Sequence, residues 1–346
     1  MAMLGNTPYV AARAKSRKQK LADRARLRQL INQSPEQMTV AVGDMGYRAE
    51  IDLYAGKYSG GDLVEAALTH NSEHELKDIL GMCNGAIRAM VEVYTLRLEY
   101  QNAKVVLRAA INDVDQDKVS NNILPALNDI NTPWLKMVEN ADDLRSAATQ
   151  MRRMSFGQDL MSLPDDARLA DYENALDRHY FKRSLASLSL KGAGVRFLRD
   201  LLKSEIDRRN ILNIIEAEAV GIDNDDILEM LIPGGRLIPE RAFSSIAAGG
   251  KNAALDILRG ANRFDMQEFE GALAESKSVN SLDPVITWFN AREHALLQRM
   301  SYLHPVSALP VVNYVAMKVQ EVADLRLIVR GRLAGLPAEV LEAHIL

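Results

Sequence analysis

Proline is absent from Glu36 to Leu124 and again from Asp165 to Ile232. Spans that long exceed any ordinary loop, and they lack the β-branched alternation of strands. Long helices are the reading that remains. Helix-start signals bracket them: Thr7-Pro8, Ser34-Pro35-Glu36-Gln37, Thr132-Pro133, Asp283-Pro284 and Leu336-Pro337. In most of these a side chain can cap free amides while proline occupies the first turn, where its missing N–H costs nothing. Ser59-Gly60-Gly61-Asp62 and Asp265-Met266-Gln267-Glu268 have capping-box spacing as well. The glycine pairs Gly60-Gly61, Gly234-Gly235 and Gly249-Gly250 read as punctuation between helices. No strand is expected, and the fold class is all-α.

At 346 residues, 47% hydrophobic and 25% charged, the chain has the composition of a folded protein in water. It is long enough for several small cores rather than one. Cys83 is the only cysteine, so no intramolecular disulfide forms. With no charged-then-apolar leader at its start, a cytosolic setting is expected. The longest stretch without Asp, Glu, Lys or Arg, Met300 to Met317, contains His304, Pro305, Pro310 and Asn313, and reads as buried protein rather than a membrane span. Charge is uneven. Residues 1–30 hold Arg13, Lys15, Arg17, Lys18, Lys20, Arg24, Arg26 and Arg28 against Asp23 alone, while the whole chain is net -4. A basic first helix of this kind fits nucleic acid, acidic lipid headgroups, an acidic partner or a plain solvated face. Aromatics at 5% and an acidic remainder argue against nucleic acid, so no nucleic-acid partner is expected.

A second pattern is internal. Three segments align on Asn102, Asn210 and Asp324. Three residues earlier each has an acid, Glu99, Asp207 or Glu321; seven later each has a small residue, Ala109, Ala217 or Gly331. Aliphatic residues fill the positions between. At 100° per residue these offsets fall on one helical stripe, so each copy lines up an acid, an amide or carboxylate, an aliphatic and a small side chain. The small residue admits a neighbouring backbone. The other side carries Lys104 with Arg108, Arg326 with Arg330, but Leu212 with Glu216 in the middle copy. Each copy then passes a short break into a further short helix. The copies lie about 110 residues apart, longer than solenoid periods and suited to triplicated helical bundles. The expected division is 1–120, 121–235 and 236–346.

Sharper chemical readings do not hold together. His70 and His74 have metal-ligand spacing, but Asn71 stands where a zinc protease needs glutamate, and no third ligand is identifiable. Asp113, Asp115 and Asp117 open like a calcium loop, yet Lys118 and Leu124 replace its glycine and glutamate. The glycine pairs before Arg236 and Lys251 lack phosphate-loop spacing. No catalytic, cofactor or metal residue is assigned.

Three stretches resemble one family. Tyr9-Val10-Ala11-Ala12-Arg13-Ala14-Lys15-Ser16-Arg17 is similar to its N-terminal signature. Asp207-Arg208-Arg209-Asn210-Ile211 followed by Leu231-Ile232-Pro233-Gly234-Gly235 resembles its second repeat. Leu325-Arg326-Leu327-Ile328-Val329-Arg330-Gly331-Arg332-Leu333-Ala334-Gly335-Leu336-Pro337 resembles its C-terminal block. The family is the C subunit of archaeal-type rotary ATPases, equivalent to the d subunit of vacuolar-type enzymes. The resemblance implies a funnel of three similar bundles about a pseudo-threefold axis, on the cytoplasmic face of a membrane. It implies a non-catalytic part that joins the central stalk to the membrane rotor ring, without bound nucleotide. Arg13, Arg17, Arg108, Arg326 and Arg330 are the candidate interface residues. Two departures stand out: Asp324 where the family more often has an amide, and Leu303-His304 ahead of Pro305 in place of a charged residue.

Overall fold

A computed structural model describes residues 6–112, 132–188, 192–262 and 264–345. Among them there is no strand; the fold is all-helical. The calcium-like aspartates Asp113, Asp115 and Asp117 lie outside the described residues. The chain forms two compact units, residues 1–161 with 297–346, and residues 162–296.

The first unit contains α1 (Thr7–Lys18), α2 (Arg24–Ile31), α3 (Pro35–Val42), α4 (Arg48–Tyr54), α5 (Gly60–Met82), α6 (Ala86–Asn112), α7 (Thr132–Glu139), α8 (Leu144–Gln150) and α9 (Gly157–Met161). Capping chemistry sets several starts: Asp23 accepts the Arg26 N–H at 2.9 Å, and Asp143 that of Ser146 at 2.6 Å. Between α3 and α4, within Gly43–Tyr47, the helix breaks at Gly46 with φ 111°, and Tyr47 is buried beside the kink.

The second unit contains α10 (Leu169–Ser187), α11 (Ala193–Val220), α12 (Asn224–Met230), α13 (Phe243–Arg259), α14 (Met266–Val279) and most of α15 (Asp283–Leu303). Ile211, Ile214, Ile227, Ile238, Ile246, Leu258 and Phe269 fill its core. Trp288 flanks that core, with its ring centroid 5.4 Å from Phe269 and 4.9 Å from Phe289. Two more helices, α16 (Leu309–Leu333) and α17 (Ala338–His344), belong to the first unit. There α16 packs against α1, α2, α3, α5, α6 and α17. Its Val322, Leu325, Ile328 and Val329 meet Leu30, Ile31, Met38, Val64 and Leu68 in one core.

Gly234-Gly235 lies between helices, as punctuation should, but the other two glycine pairs lie inside helices. Gly60 and Gly61 open α5 rather than precede it, and Ser59 sits at the N-cap without a side-chain capping bond. A side chain on Gly61 would place its Cβ 2.3 Å from Leu333 Cδ1, so the pair permits close approach to the end of α16. Gly249-Gly250 lies inside α13, where Gly250 at φ 56° kinks the helix. The uncharged stretch Met300 to Met317 is buried only in part: Leu309, Val311, Val312, Tyr314 and Val315 are inside, while Tyr302, Leu303 and Val306 are exposed. No described helix is long and apolar enough to cross a membrane.

Candidate functional site

The three aligned segments fall on α6, α11 and α16, helices of 27, 28 and 25 residues. Their stripes face inward. Asn102, Ala109, Asp207, Asn210, Ala217, Glu321, Asp324 and Gly331 are buried, and Glu99 is half-buried.

On α11 the stripe grips a loop. Asp207 accepts the backbone N–H groups of Arg236, Leu237 and Ile238 at 2.8–3.0 Å. Asn210 pairs with Ile232 in both directions: its amide donates to the carbonyl at 2.9 Å, and its oxygen accepts the Ile232 N–H at 2.7 Å. Asn213 donates to the Met230 carbonyl at 2.9 Å. From α10, Arg178 donates to the carbonyls of Glu229 and Leu231. Backbone polar groups of this partly buried loop are thereby satisfied by side chains. Burial pushes the Asp207 carboxyl above its ordinary range, although three amide bonds favour the anion. Gly235 makes room for this grip, since a Cβ there would lie 2.3 Å from Asp207 Oδ1.

The equivalent acid on α16 does related work. Glu321 accepts the Ala22 N–H at 2.6 Å, the Tyr47 hydroxyl at 2.7 Å and Lys318 Nζ at 2.9 Å. Lys318 also donates to the Tyr47 oxygen and lies 4.4 Å from the Tyr47 ring centroid. All three side chains are buried, so the charges survive by pairing. Burial, and then the Glu321 charge, push the Tyr47 hydroxyl well above its usual range. Next to Glu321, Asp324 accepts the Gln320 amide at 2.7 Å. Burial, opposed by that bond and reinforced by Glu321, raises its carboxyl to about 7.

The C-terminal ends of α11 and α16 close in the same register. Ile222 N–H bonds to the Ala217 carbonyl at 2.9 Å, with Gly221 left-handed at φ 73°; Leu336 N–H bonds to the Gly331 carbonyl at 2.8 Å, with Gly335 at φ 76°. Each is followed by a seven-residue helix, α12 or α17, and the segments bury Ile227 and Leu231 in one case and Leu341 and Ile345 in the other. The small residue of the stripe therefore has a second role: its carbonyl closes the helix.

The five arginines are placed differently. Arg13 and Arg108 are exposed. Arg17 is spent on Glu75 at 2.6 Å and Asp78 at 3.1 Å, and Tyr314 donates to the same Glu75 oxygen at 2.5 Å. Arg326 Nε lies 3.0 Å from Glu65 on α5, and its guanidinium donates to Thr69 at 2.6 Å. Arg330 binds the other Glu65 oxygen at 2.6 Å. The Arg326 side chain is 15% exposed and that of Arg330 50%. Burial lowers the Arg326 pKa, and Glu65 opposes this. Sequence reasoning alone does not single out Glu65, Glu75, Tyr47 or Lys318. The one signal for them is Glu65 itself, a lone charge in the apolar run Leu63-Val64-Glu65-Ala66-Ala67-Leu68.

His70 Nδ1 lies 2.8 Å from the Tyr54 hydroxyl, and the exposed His74 leans toward Asp78 at 4.0 Å. Cys83 is fully buried, its thiol pushed up to about 11 by burial and bonded to the Ile79 carbonyl. Such a thiol is unreactive near neutral pH.

What these junctions define is an all-helical protein whose buried charges tie helix to helix and helix to loop. The family is shown by sequence: the model described as ATP synthase (C/AC39) subunit matches residues 10–344, and the chain belongs to that family. Relatives named as the C subunit of A-type ATP synthase include one from Haloquadratum walsbyi, 30% identical over 97% of both chains. Another, from Haloferax volcanii, is 26% identical over 98% of this chain and 97% of its own. A third, from Archaeoglobus fulgidus, is 24% identical over 96% and 94%.

Proposed function

We propose that this rotary ATPase subunit is a non-catalytic coupling element. It links the central stalk to the membrane rotor ring, peripherally on the cytoplasmic side, and so carries torque between ATP chemistry and the movement of protons or sodium. The single observation that carries this is the use of charge inside the molecule. Glu65, Glu321 and Asp207 each lock elements that are far apart in sequence. A part that transmits torque must not yield between its helices, and buried charge-paired junctions resist sliding.

In this reading the chain is three similar bundles about a pseudo-threefold axis, a funnel whose repeats follow the divisions 1–120, 121–235 and 236–346. Support comes from the identical closing register of α11 and α16. Exposed Arg13 and Arg108 and half-exposed Arg330 are the residues assigned to partner contact, whereas Arg17 and Arg326 act within the chain.

The test is co-purification. A tagged chain, isolated from gently solubilised membranes, should bring down ring proteolipids together with central-stalk subunits. An otherwise intact membrane complex that lacks this chain at the stalk-ring junction would defeat the proposal.

A further inference from the structure

The turn between α15 and α16 is apolar where a water-facing surface is ordinarily polar. Tyr302 is 74% exposed, Leu303 60% and Val306 64%. The turn is fixed. Ser307 Oγ donates to the His304 carbonyl at 2.7 Å and accepts the Leu309 N–H at 3.1 Å, and the His304 N–H bonds to the Met300 carbonyl at 3.0 Å. Three large side chains therefore project from a tied turn, and no core claims them.

Cations stand beside it. Lys18 Nζ lies 5.6 Å from the centre of the Tyr302 ring, within cation-π range. Arg299 is exposed one helical turn before Tyr302 and Leu303 on α15, and Lys20 is exposed just beyond the end of α1. Arg17 on the same helix is neutralised by Glu75 and Asp78, but among the described residues no carboxylate pairs with Lys18, Lys20 or Arg299.

We propose that the Tyr302-Leu303-His304-Pro305-Val306 turn, with Lys18, Lys20 and Arg299, forms a membrane-contact site for an anionic phospholipid surface. Tyrosine and aliphatic side chains settle at the boundary between headgroups and acyl chains. Lysine stems lie along apolar surface while their ammonium groups reach phosphate. Each such cation raises partitioning to an anionic bilayer about fivefold. An acidic protein segment would satisfy the cations but leave three apolar side chains unmatched; a lipid surface meets both at once. The site is independent of the stalk-to-ring reading.

The experiment is sedimentation of the full chain with phosphatidylcholine vesicles, with and without phosphatidylglycerol. Binding is expected only with the anionic vesicles and should weaken with salt. The triple variant Y302S/L303S/V306S should lose at least about tenfold in partitioning, and K18Q/K20Q about as much or more. Unchanged circular dichroism and melting show that these variants fold. A Tyr302→Trp variant gives a separate readout: its added emission should shift to the blue on anionic vesicles. No anionic preference, unaltered binding by both variants, or no blue shift overturns the proposal. So does a triple variant that binds vesicles normally but fails to join the membrane complex, since the patch then serves a protein.

Discussion

Glu65 holds two arginines while almost wholly buried, and removing its charge leaves Arg326 desolvated without a counter-ion. Breaking a buried pair from one side costs about 3–5 kcal/mol. Glu65→Gln should lower the denaturant midpoint accordingly, whereas Asp44→Ala, which removes an exposed i,i+4 partner of Arg48, should cost under about 0.5 kcal/mol. Asp324 behaves in the opposite sense. Its folded pKa near 7 exceeds the ordinary carboxylate value, so the folded state holds the proton more tightly than the unfolded chain. Stability from this group is present at low pH and lost as pH rises toward 7, at about 1.4 kcal/mol for each tenfold difference in proton affinity between the two states. Asp324→Asn should therefore raise the melting temperature at about pH 8 and leave it nearly unchanged at about pH 4. A melting curve equally shifted at both pH values would contradict this. That the positions aligned with it on α6 and α11 carry an amide, Asn102 and Asn210, fits the same chemistry.

At the level of helices and loops, the grip of α11 on the segment after Pro233 depends on Gly235. Gly235→Ala would drive a Cβ into Asp207 Oδ1, an oxygen of a carboxylate fixed by three amides, one on Oδ1 and two on Oδ2, and should cost about 1–3 kcal/mol. Gly331→Ala meets only the flexible ends of Leu341 and Leu336 and should cost less. Urea titration of the two variants side by side checks the order. The helices themselves are readable in the sequence. Proline-free length and a repeated stripe of acid, amide and small residue are local signals, and α6, α11 and α16 appear where those signals stand. The partners of the stripe are not readable. Glu321 meets Ala22 and Tyr47, Arg330 meets Glu65, and nothing near any of them in the sequence names the other. The positions opposite the stripe on α16, Arg326 and Arg330, read as interface candidates in the sequence for a related reason. Helical periodicity locates a face, but α16 is packed on several sides, so Arg326 is drawn inward by a carboxylate far away in sequence.

Within the intact molecule, half of the Arg330 side chain remains in water while one nitrogen holds Glu65, and in the proposed coupling role that exposed half meets a partner. Arg330→Ala should lower the yield of assembled complex or loosen coupling of ATP hydrolysis to ion movement, and leave nucleotide affinity of the complex unchanged. Altered nucleotide affinity would contradict a purely mechanical part. The same architecture bears on how the protein is made. Contacts of the first unit span 265 to 299 residues of sequence, from Arg330 to Glu65, Tyr47 to Glu321 and Ala22 to Glu321. During synthesis α2, α3 and α5 emerge long before α16, so Leu30, Ile31, Val64 and the Glu65 carboxylate lack their α16 partners while residues 162–296 are translated. The first part of the chain to appear is thus among the last to be finished, and in that interval it is a natural client for chaperones.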